Sequence, residues 1–358
     1  MLVHICCSVD SHYFLRRLRA DFPNERLVGY FYDPNIHPYS EFLMRFHDVK
    51  RSCGALGIDL ICGEYDYESW LEGTKGLENE PEKGKRCVYC FEFRVGNSAR
   101  KALEIGETSV TTTLLMSPKK DFAQLEAALN RAVAGTNLTP VAIDYRKNGG
   151  TNAQFELAKK DKLYHQNYCG CVFGLSKQRD AQGLPIAELM SDVRGRALPG
   201  SIEERLALYE RVRGCEERGE RFHLSRKYFL NYRLLRALVK FNGRVVASYF
   251  LQYSNFKREN VKFSVSEAAC VCDELRDGVT LLNLAKFNEL VGMKFASVRE
   301  LCREPIGVEA ELKLRRELCG EFSHNPIIVL DEISVGRYEI YAKNVLYNDS
   351  REVLVIKR

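Results

Sequence analysis

Apolar and polar positions alternate along residues 1 to about 175 in two interleaved rhythms. Leu2-Val3-His4-Ile5 is a short apolar run with the length of a buried strand. Ser8-Val9-Asp10-Ser11 then offers caps for a helix through Leu18. Leu27 to Tyr32 predicts a second strand, halted by Asp33-Pro34-Asn35. Phe42, Leu43, Phe46 and Val49 recur at helical spacing within Ser40 to Leu56, and Ile58 to Ile61 predicts a third strand. A helix follows from about Tyr89 to Leu103, then a strand over Thr108 to Thr112. A capped helix is expected after Ser117-Pro118 and a last strand over Pro140 to Ile143. Strands alternating with helices predict an α/β domain, a mostly parallel sheet with helices on both faces. Such sheets bind ligands outside the carboxyl ends of their strands. Cys6-Cys7, Asp33-Pro34-Asn35 and Thr111-Thr112-Thr113 are therefore expected to converge on one crevice.

The character changes from about Gly183, where Pro185, Pro199 and Gly200 break the chain. A helix is predicted from Ser201 to about Glu220. Arg221 to Lys262 holds ten Lys or Arg against one acid, Glu259, with aromatic residues interleaved. That pattern fits an RNA-reading surface, or an amphipathic helix whose aromatics are core. Val265 to Glu274 and Leu281 to Val291 read as helical, and Tyr338 to Ile356 reads as a hairpin turning at Asn348-Asp349. The second domain, 185 to 358, is thus expected to be mixed α+β or mainly helical.

Composition adds limits. A chain of 358 residues, 45% hydrophobic and 28% charged, is ordinary for a globular protein and long enough for two cores. No apolar run reaches the roughly 18 residues of a membrane-spanning helix. The first residues lack a basic region before the apolar run, which argues against a secretory signal. A net charge of +5 permits an RNA or phosphate partner without requiring one.

Thirteen cysteines change the picture. An odd number does not make a complete disulfide framework, and clustered thiols in a reducing cytoplasm read as metal ligands or redox groups. Cys53, Cys62, Cys215, Cys302 and Cys319 are expected to be small buried hydrophobes. Cys270-Val271-Cys272 is read as structural, because i and i+2 diverge on a helix. Cys6-Cys7, Cys87-x-x-Cys90 and Cys169-x-Cys171 remain. One zinc or one iron–sulfur cluster takes four thiols, which leaves a second metal site or a dithiol pair. Adjacent Cys6-Cys7 suits the separated corners of a cubane better than a single tetrahedral ion. A disulfide across Gly170 closes a strained ring, and strain favours electron shuttling; two further metal ligands are the alternative.

Five ordered segments carry a resemblance: His4-Ile5-Cys6-Cys7, Tyr30 to Pro38, Arg86 to Arg94, Thr111 to Pro118, and Leu163 to Cys171. Residues 1 to about 176 resemble the QueH-type epoxyqueuosine reductases. The resemblance implies an adenine-nucleotide-hydrolase-like fold and a cobalamin-independent oxidoreductase of queuosine biosynthesis. The reaction implied is reduction of the epoxide of epoxyqueuosine, at the tRNA wobble position, to the alkene. By position, Cys6, Cys7, Cys87 and Cys90 would hold a [4Fe-4S] cluster, and Cys169 and Cys171 would be the redox-active pair. Asp10 stands where many members carry a thiol, so it is the ligand available to one additional iron. Asp33 stands where Asn is more usual. Asp10, Tyr32 and His37 are candidate proton donors. Tyr32, Asp33, Asn35, His37, Thr112, Thr113, Tyr164 and Asn167 are candidate substrate-binding residues. Arg45, Lys50, Arg51, Lys83, Lys85 and Arg86 flank the expected crevice in sequence and are candidates for gripping tRNA phosphates.

Two other readings compete on the residues alone. A zinc-stabilised tRNA-binding module without catalysis would be colourless, whereas an iron–sulfur enzyme would be brown. An ATP-using tRNA-thiolating enzyme needs a glycine-rich loop after the first strand, and Cys6 to Ser11 contains no glycine. A cytoplasmic protein with tRNA and an external electron donor as partners is expected.

Overall fold

The computed structural model describes residues 1–190 and 196–357. The chain divides into two compact units: residues 1–183 with 209–214, and residues 184–208 with 215–358.

The first unit alternates strand and helix. Its elements are β1 (Leu2–Ile5), α1 (Ser8–Asp21), β2 (Val28–Phe31), α2 (Tyr39–Ala55), β3 (Asp59–Cys62) and α3 (Tyr67–Gly73). Then come α4 (Lys85–Glu104), β4 (Ser109–Thr112), α5 (Phe122–Val133), β5 (Thr139–Pro140), α6 (Gly150–Lys160) and α7 (Val172–Gln182). The strands form one parallel sheet in the order β3-β2-β1-β4-β5. β1, β2 and β4 are buried along their whole length, which is why they read as unbroken apolar or small-residue runs. The order reverses at β1, so a crevice opens at its carboxyl end, between β1 and β4. Cys6 and Cys7 follow directly.

The second unit begins with much of α8 (Ile202–Glu217). It continues through β6 (Phe222–Phe241), β7 (Arg244–Val246), β8 (Ser248–Phe250), β9 (Asn260–Val265), β10 (Val271–Glu274) and β11 (Val279–Asn283). It closes with α9 (Leu284–Val291), α10 (Val298–Arg303), α11 (Val308–Cys319), β12 (Ile327–Leu330) and β13 (Gly336–Ile356). Two sheets result, β10-β11-β12-β8 and β7-β6-β13-β9. Period-two alternation divides the first sheet's faces. Leu282, Ile327 and Val329 pack with Phe287, Leu301 and Leu314 of the helices. Leu281, Ile328 and Leu330 pack with Val239, Val261 and Ile340 of the second sheet. The unit is therefore α+β, with a helical layer, a sheet and a sheet.

Three expectations need correction. Arg221 to Lys262 is not a helix: β6 runs twenty residues through it. Val265 to Glu274 is strand end, loop and strand, because its short apolar runs fit either period. No hairpin turns at Asn348-Asp349. β13 pairs continuously with β6 from Tyr338↔Phe241 to Ile356↔Phe222, with one register shift between Lys343 and Asn344. Asp349 accepts from Asn231 Nδ2 at 2.8 Å across the strands.

The β6–β13 sheet turns its aromatics Phe241, Phe263 and Tyr338 inward. Its outward face carries Arg236 and Lys240 of β6, Arg337, Tyr341 and Lys343 of β13, and Lys262 of β9. Glu259 pairs with Arg236 and Lys343, Glu339 pairs with Lys262 and Arg337, and Lys240 Nζ lies 5.3 Å from the Tyr341 ring. The face retains a cationic excess. No helix among the described residues is long and apolar enough to cross a membrane.

Ile328 is fully buried between two layers. Ile328→Ala is expected to lower stability by about 2–5 kcal/mol in urea denaturation, whereas Leu275→Ala, at a 91% exposed site, changes it by less than about 0.5 kcal/mol.

Candidate functional site

Three segments meet at the sheet's carboxyl edge. The first is the β1–α1 junction. Cys7 is the N-cap of α1, and Ser8, Asp10, Ser11 and His12 of its first turns are buried. Cys6 Sγ lies 3.8 Å from Cys7 Sγ, 4.0 Å from Asp10 Oδ2 and 3.9 Å from Thr113 Oγ1. The ligand atoms of Cys6, Cys7 and Asp10 all lie within 4.8 Å of one another, the one such group among the described residues. Gln154 Nε2 donates to Asp10 Oδ1 at 2.6 Å. Burial pushes the Asp10 carboxyl up to about 6, against the pull of bonds from Cys7 and Gln154. The bond with Cys6, then burial, raises the Cys7 thiol well above its usual value.

The second segment is the start of α4. Cys87 and Cys90 lie three residues apart on the helix's first turns, so both face one side. The Lys83 N–H donates to Cys87 Sγ at 3.3 Å. Burial pushes the Cys90 thiol up, and Arg94 Nη1, 4.0 Å from its Sγ, opposes that. Arg94 also holds Asp33 in a buried ion pair.

The third segment is Cys169-Gly170-Cys171, with Cys171 the N-cap of α7. Gly170 adopts φ +100°, and a Cβ there would approach Ile36 Cγ1 to 2.7 Å, so the turn requires glycine. Arg45 fixes the turn from outside. Its Nη2 donates to the Tyr168 carbonyl at 2.9 Å, its Nη1 to the Cys169 carbonyl at 3.3 Å, and its Nε to Glu41 at 2.8 Å. The Cys171 thiol donates to Cys169, drawing the Cys169 thiol well below its ordinary value; Lys120 and Arg45 add positive potential. Cys171 is pushed up by the same bond and by burial. Cys169 is thus the more acidic thiol of the pair.

One cavity of about 440 Å³ is lined by Cys6, Asp10, Cys87, Cys90, Cys169 and Cys171, together with Asn35 and Asn167. Arg45 and Arg86 also line it, whereas Cys7, Tyr32, Asp33, His37, Thr112, Thr113 and Tyr164 build its surroundings. The Thr112 hydroxyl bonds His4 Nδ1 at 2.8 Å and accepts from the Leu114 N–H at 3.2 Å. Burial and Arg94 keep His4 neutral, so its Nε2 donates to the Tyr32 carbonyl at 3.0 Å. Tyr32 donates to Asp66, His37 stacks on Tyr67 at 4.7 Å, and Tyr164 donates to Glu41. Thr113 touches Cys6 from behind the wall. Of the three proposed acids, only Asp10 reaches the cavity.

The basic residues also divide. Arg45, Arg51 and Arg86 bond backbone carbonyls and are structural rather than phosphate grips. Lys50, Lys83 and Lys85 are exposed. Sequence reasoning missed Lys120, Arg94 and Trp70, all in the cavity wall. Arg94 closes a quoted motif, and Trp70 is the one tryptophan in the chain. Cys53 and Cys215 are buried as expected, but Cys62 and Cys302 are exposed and Cys319 is half-buried. Cys270 and Cys272 do not lie on a helix. Cys272 is in β10, and Cys270 is an exposed residue just before it.

Known proteins can now be set beside this geometry. The family model described as "Epoxyqueuosine reductase QueH" matches residues 1–177. An epoxyqueuosine reductase QueH from Helicobacter pylori is 40% identical over 363 residues, covering 98% of this chain and 98% of its own length. The chain belongs to the QueH family of epoxyqueuosine reductases. It is an oxidoreductase by that membership. QueH proteins of Histophilus somni (37% identical, 51% of this chain, 76% of theirs) and Thermotoga maritima (32%, 50% and 92%) match about half of it. The second unit is thus shared with the Helicobacter QueH and lies largely outside those shorter matches. The U34-tRNA thiolase NcsA of Methanococcus maripaludis, with its [4Fe-4S] cluster, aligns at TM-score 0.33 and 14% identity over 61% of this chain and 72% of its own. That likeness is too weak to bear on fold or function.

In this QueH-family chain, reduced apoprotein treated with iodoacetamide is expected to lose Cys169 first among the cavity thiols. Because the Cys169 value is lowered, its alkylation persists at pH values where ordinary thiols are protonated. Lys120→Met shifts that pH profile upward; peptide mass spectrometry across pH reads both.

Proposed function

We propose that this chain reduces the epoxide of epoxyqueuosine, at the wobble position of tRNA, to the alkene of queuosine. The observation that carries this reading is the cavity itself, which gathers Cys6, Cys87 and Cys90 of the cluster-type thiol set and the Cys169–Cys171 dithiol in one wall.

The donor set fits a [4Fe-4S] cluster. Cys6, Cys7, Cys87 and Cys90 would hold it: Cys6, Cys87 and Cys90 line the cavity, and Cys7 lies behind Cys6 with its Sγ 3.8 Å from the Cys6 Sγ. Arg94 and Lys120 offset the negative charge that four thiolates bring into a buried site. When bound, such a cluster supplies one-electron transfer and a Lewis-acidic iron. Asp10 is the oxygen ligand available to one additional iron.

The remaining chemistry balances on the chain's own thiols. An epoxide that becomes an alkene takes up two electrons and two protons and releases water. Cys169 and Cys171, passing from dithiol to disulfide, give up two electrons and two protons. Gly170 keeps the turn tight enough for that ring, and Arg45 holds its backbone. An external two-electron reductant, in a reducing compartment such as the cytoplasm, then restores the dithiol. Asn35 and Asn167 are the polar groups from the substrate-binding set that line the cavity.

Residues 1–180 form the reductase domain in this reading, and 185–358 a tRNA-binding extension. The outward basic face of the β6–β13 sheet, with Tyr341 among its cations, supports the second assignment. The double variant Lys240→Glu/Lys343→Glu is expected to weaken tRNA binding and reduce its salt dependence, read by titration at two salt concentrations. Unchanged binding would remove the sheet face from the reading.

The main test is anaerobic reconstitution with iron and sulfide, then incubation with epoxyqueuosine-containing tRNA and a low-potential reductant. About four irons and four sulfides per chain and conversion to queuosine are expected. Cys169→Ser and Cys171→Ser should keep iron and lose turnover. A colourless protein holding zinc would overturn the proposal.

A further inference from the structure

Trp70 sits on α3 with 0% of its surface exposed, and its indole Nε1 has no hydrogen-bond partner. Its neighbours make that vacancy unusual. Trp70 packs in one buried cluster with Cys90 and Cys171, enclosed by Tyr67, Leu71 and Phe173. It also lines the cavity.

An indole N–H is a donor only, so it needs an acceptor. Leaving a buried donor unmatched forfeits its hydration without return, and folded proteins rarely tolerate it without a functional reason. The aromatic and aliphatic neighbours offer no strong acceptor. The buried sulfurs beside it are thiols, which accept weakly. A thiolate bound to iron, or a sulfide of a cluster, accepts well because it carries negative charge. Arg94 already approaches Cys90 Sγ from another direction at 4.0 Å.

We infer that Trp70 donates its indole N–H to an anionic sulfur on the Cys90 side of the iron–sulfur group, and so tunes its potential. The inference rests on the cluster reading above. Trp70 is a positioning residue here: it touches the group's sulfur and not the substrate. Hydrogen bonds to cluster sulfurs favour the more negative, reduced state and raise the potential. Removing this donor therefore shifts the midpoint downward.

The chain's single tryptophan makes the test clean. Trp70→Phe keeps an aromatic ring in the pocket and deletes the donor. Iron and sulfide content, measured first, is expected to match the unaltered protein, and a redox titration followed by electron paramagnetic resonance should give a lower midpoint. A purely structural tryptophan would change loading or stability and leave the midpoint of the loaded fraction unmoved. An unchanged midpoint at full loading overturns the inference. Should Trp70→Phe fail to fold, the unaltered protein labelled with ¹⁵N-indole still decides it. Electron–nuclear double resonance of the reduced cluster should then show coupling to the one labelled nitrogen, and a loaded protein without coupling overturns the inference. If no iron is bound at all, it is the cluster reading that fails, and the iron count reports that separately.

Discussion

The guanidinium of Arg45 is the fixed point of the first unit. It is fully enclosed, bonds Glu41 one turn away on its own helix, and gives its remaining donors to the carbonyls of Tyr168 and Cys169. Glu41 in turn accepts from Tyr164. A helix from the first half of the sheet thereby grips a loop far along the chain. Beside that grip, the Cys169-Gly170-Cys171 turn is held by contact with Ile36, the bond from the His37 N–H to the Gly170 carbonyl, the Asn35 amide on the Cys169 carbonyl and the Tyr168 hydroxyl on the His37 carbonyl. A buried arginine is retained because every donor it turns inward has an acceptor, and removing one partner would strand a charge.

The same logic runs through the crevice floor. Asp33 and Arg94 neutralise each other beneath Cys90, and neutral His4 joins β1 to β4 through Thr112 and to β2 through the Tyr32 carbonyl. Burial nonetheless pushes the Asp33 carboxyl up to about 6, against Arg94 and Arg45. The site is thus a positively biased chamber whose walls are tied by short polar contacts, and whose contents are thiols. That bias opposes burial at Cys90 and helps lower Cys169, whereas Cys7 and Cys171 stay raised by their sulfur bonds and burial, and Cys90 by burial.

Much of this was legible in the residues. The βα alternation and the convergence of three strand ends follow from periodicity and fold class, and the grouping of the paired cysteines from the family resemblance. The polar residues around the crevice were legible as important but not in their roles. Thr112, Tyr32 and Tyr164 carry the right chemistry for contacting a substrate, yet their polar atoms are consumed by His4, Asp66 and Glu41. Sequence does not reveal which partner a hydroxyl finds. Lys120 and Trp70 carried no motif, because their importance lies in neighbours distant along the chain. In the second unit, β6 alternates basic and aromatic residues with occasional doublets such as Leu234-Leu235, so neither period dominates. Asn348-Asp349 mimics a turn, but no glycine follows to take the positive φ that a tight hairpin prefers.

The pairing of β6 with β13 sets an order of events during synthesis. Phe222 finds its partner only at Ile356, and Phe241 at Tyr338, with β7 to β12 and α9 to α11 lying between them. Loop closure over such a separation is slow, and the long strand β6 waits on the ribosome with one ladder of backbone groups unmatched. Most of the first unit has by then left the exit tunnel, since its sheet closes within residues 2–140. The cysteine-bearing half can therefore begin to assemble while its companion is still an open edge, and that edge is where a nascent chain would be most exposed to chaperones and to misassociation.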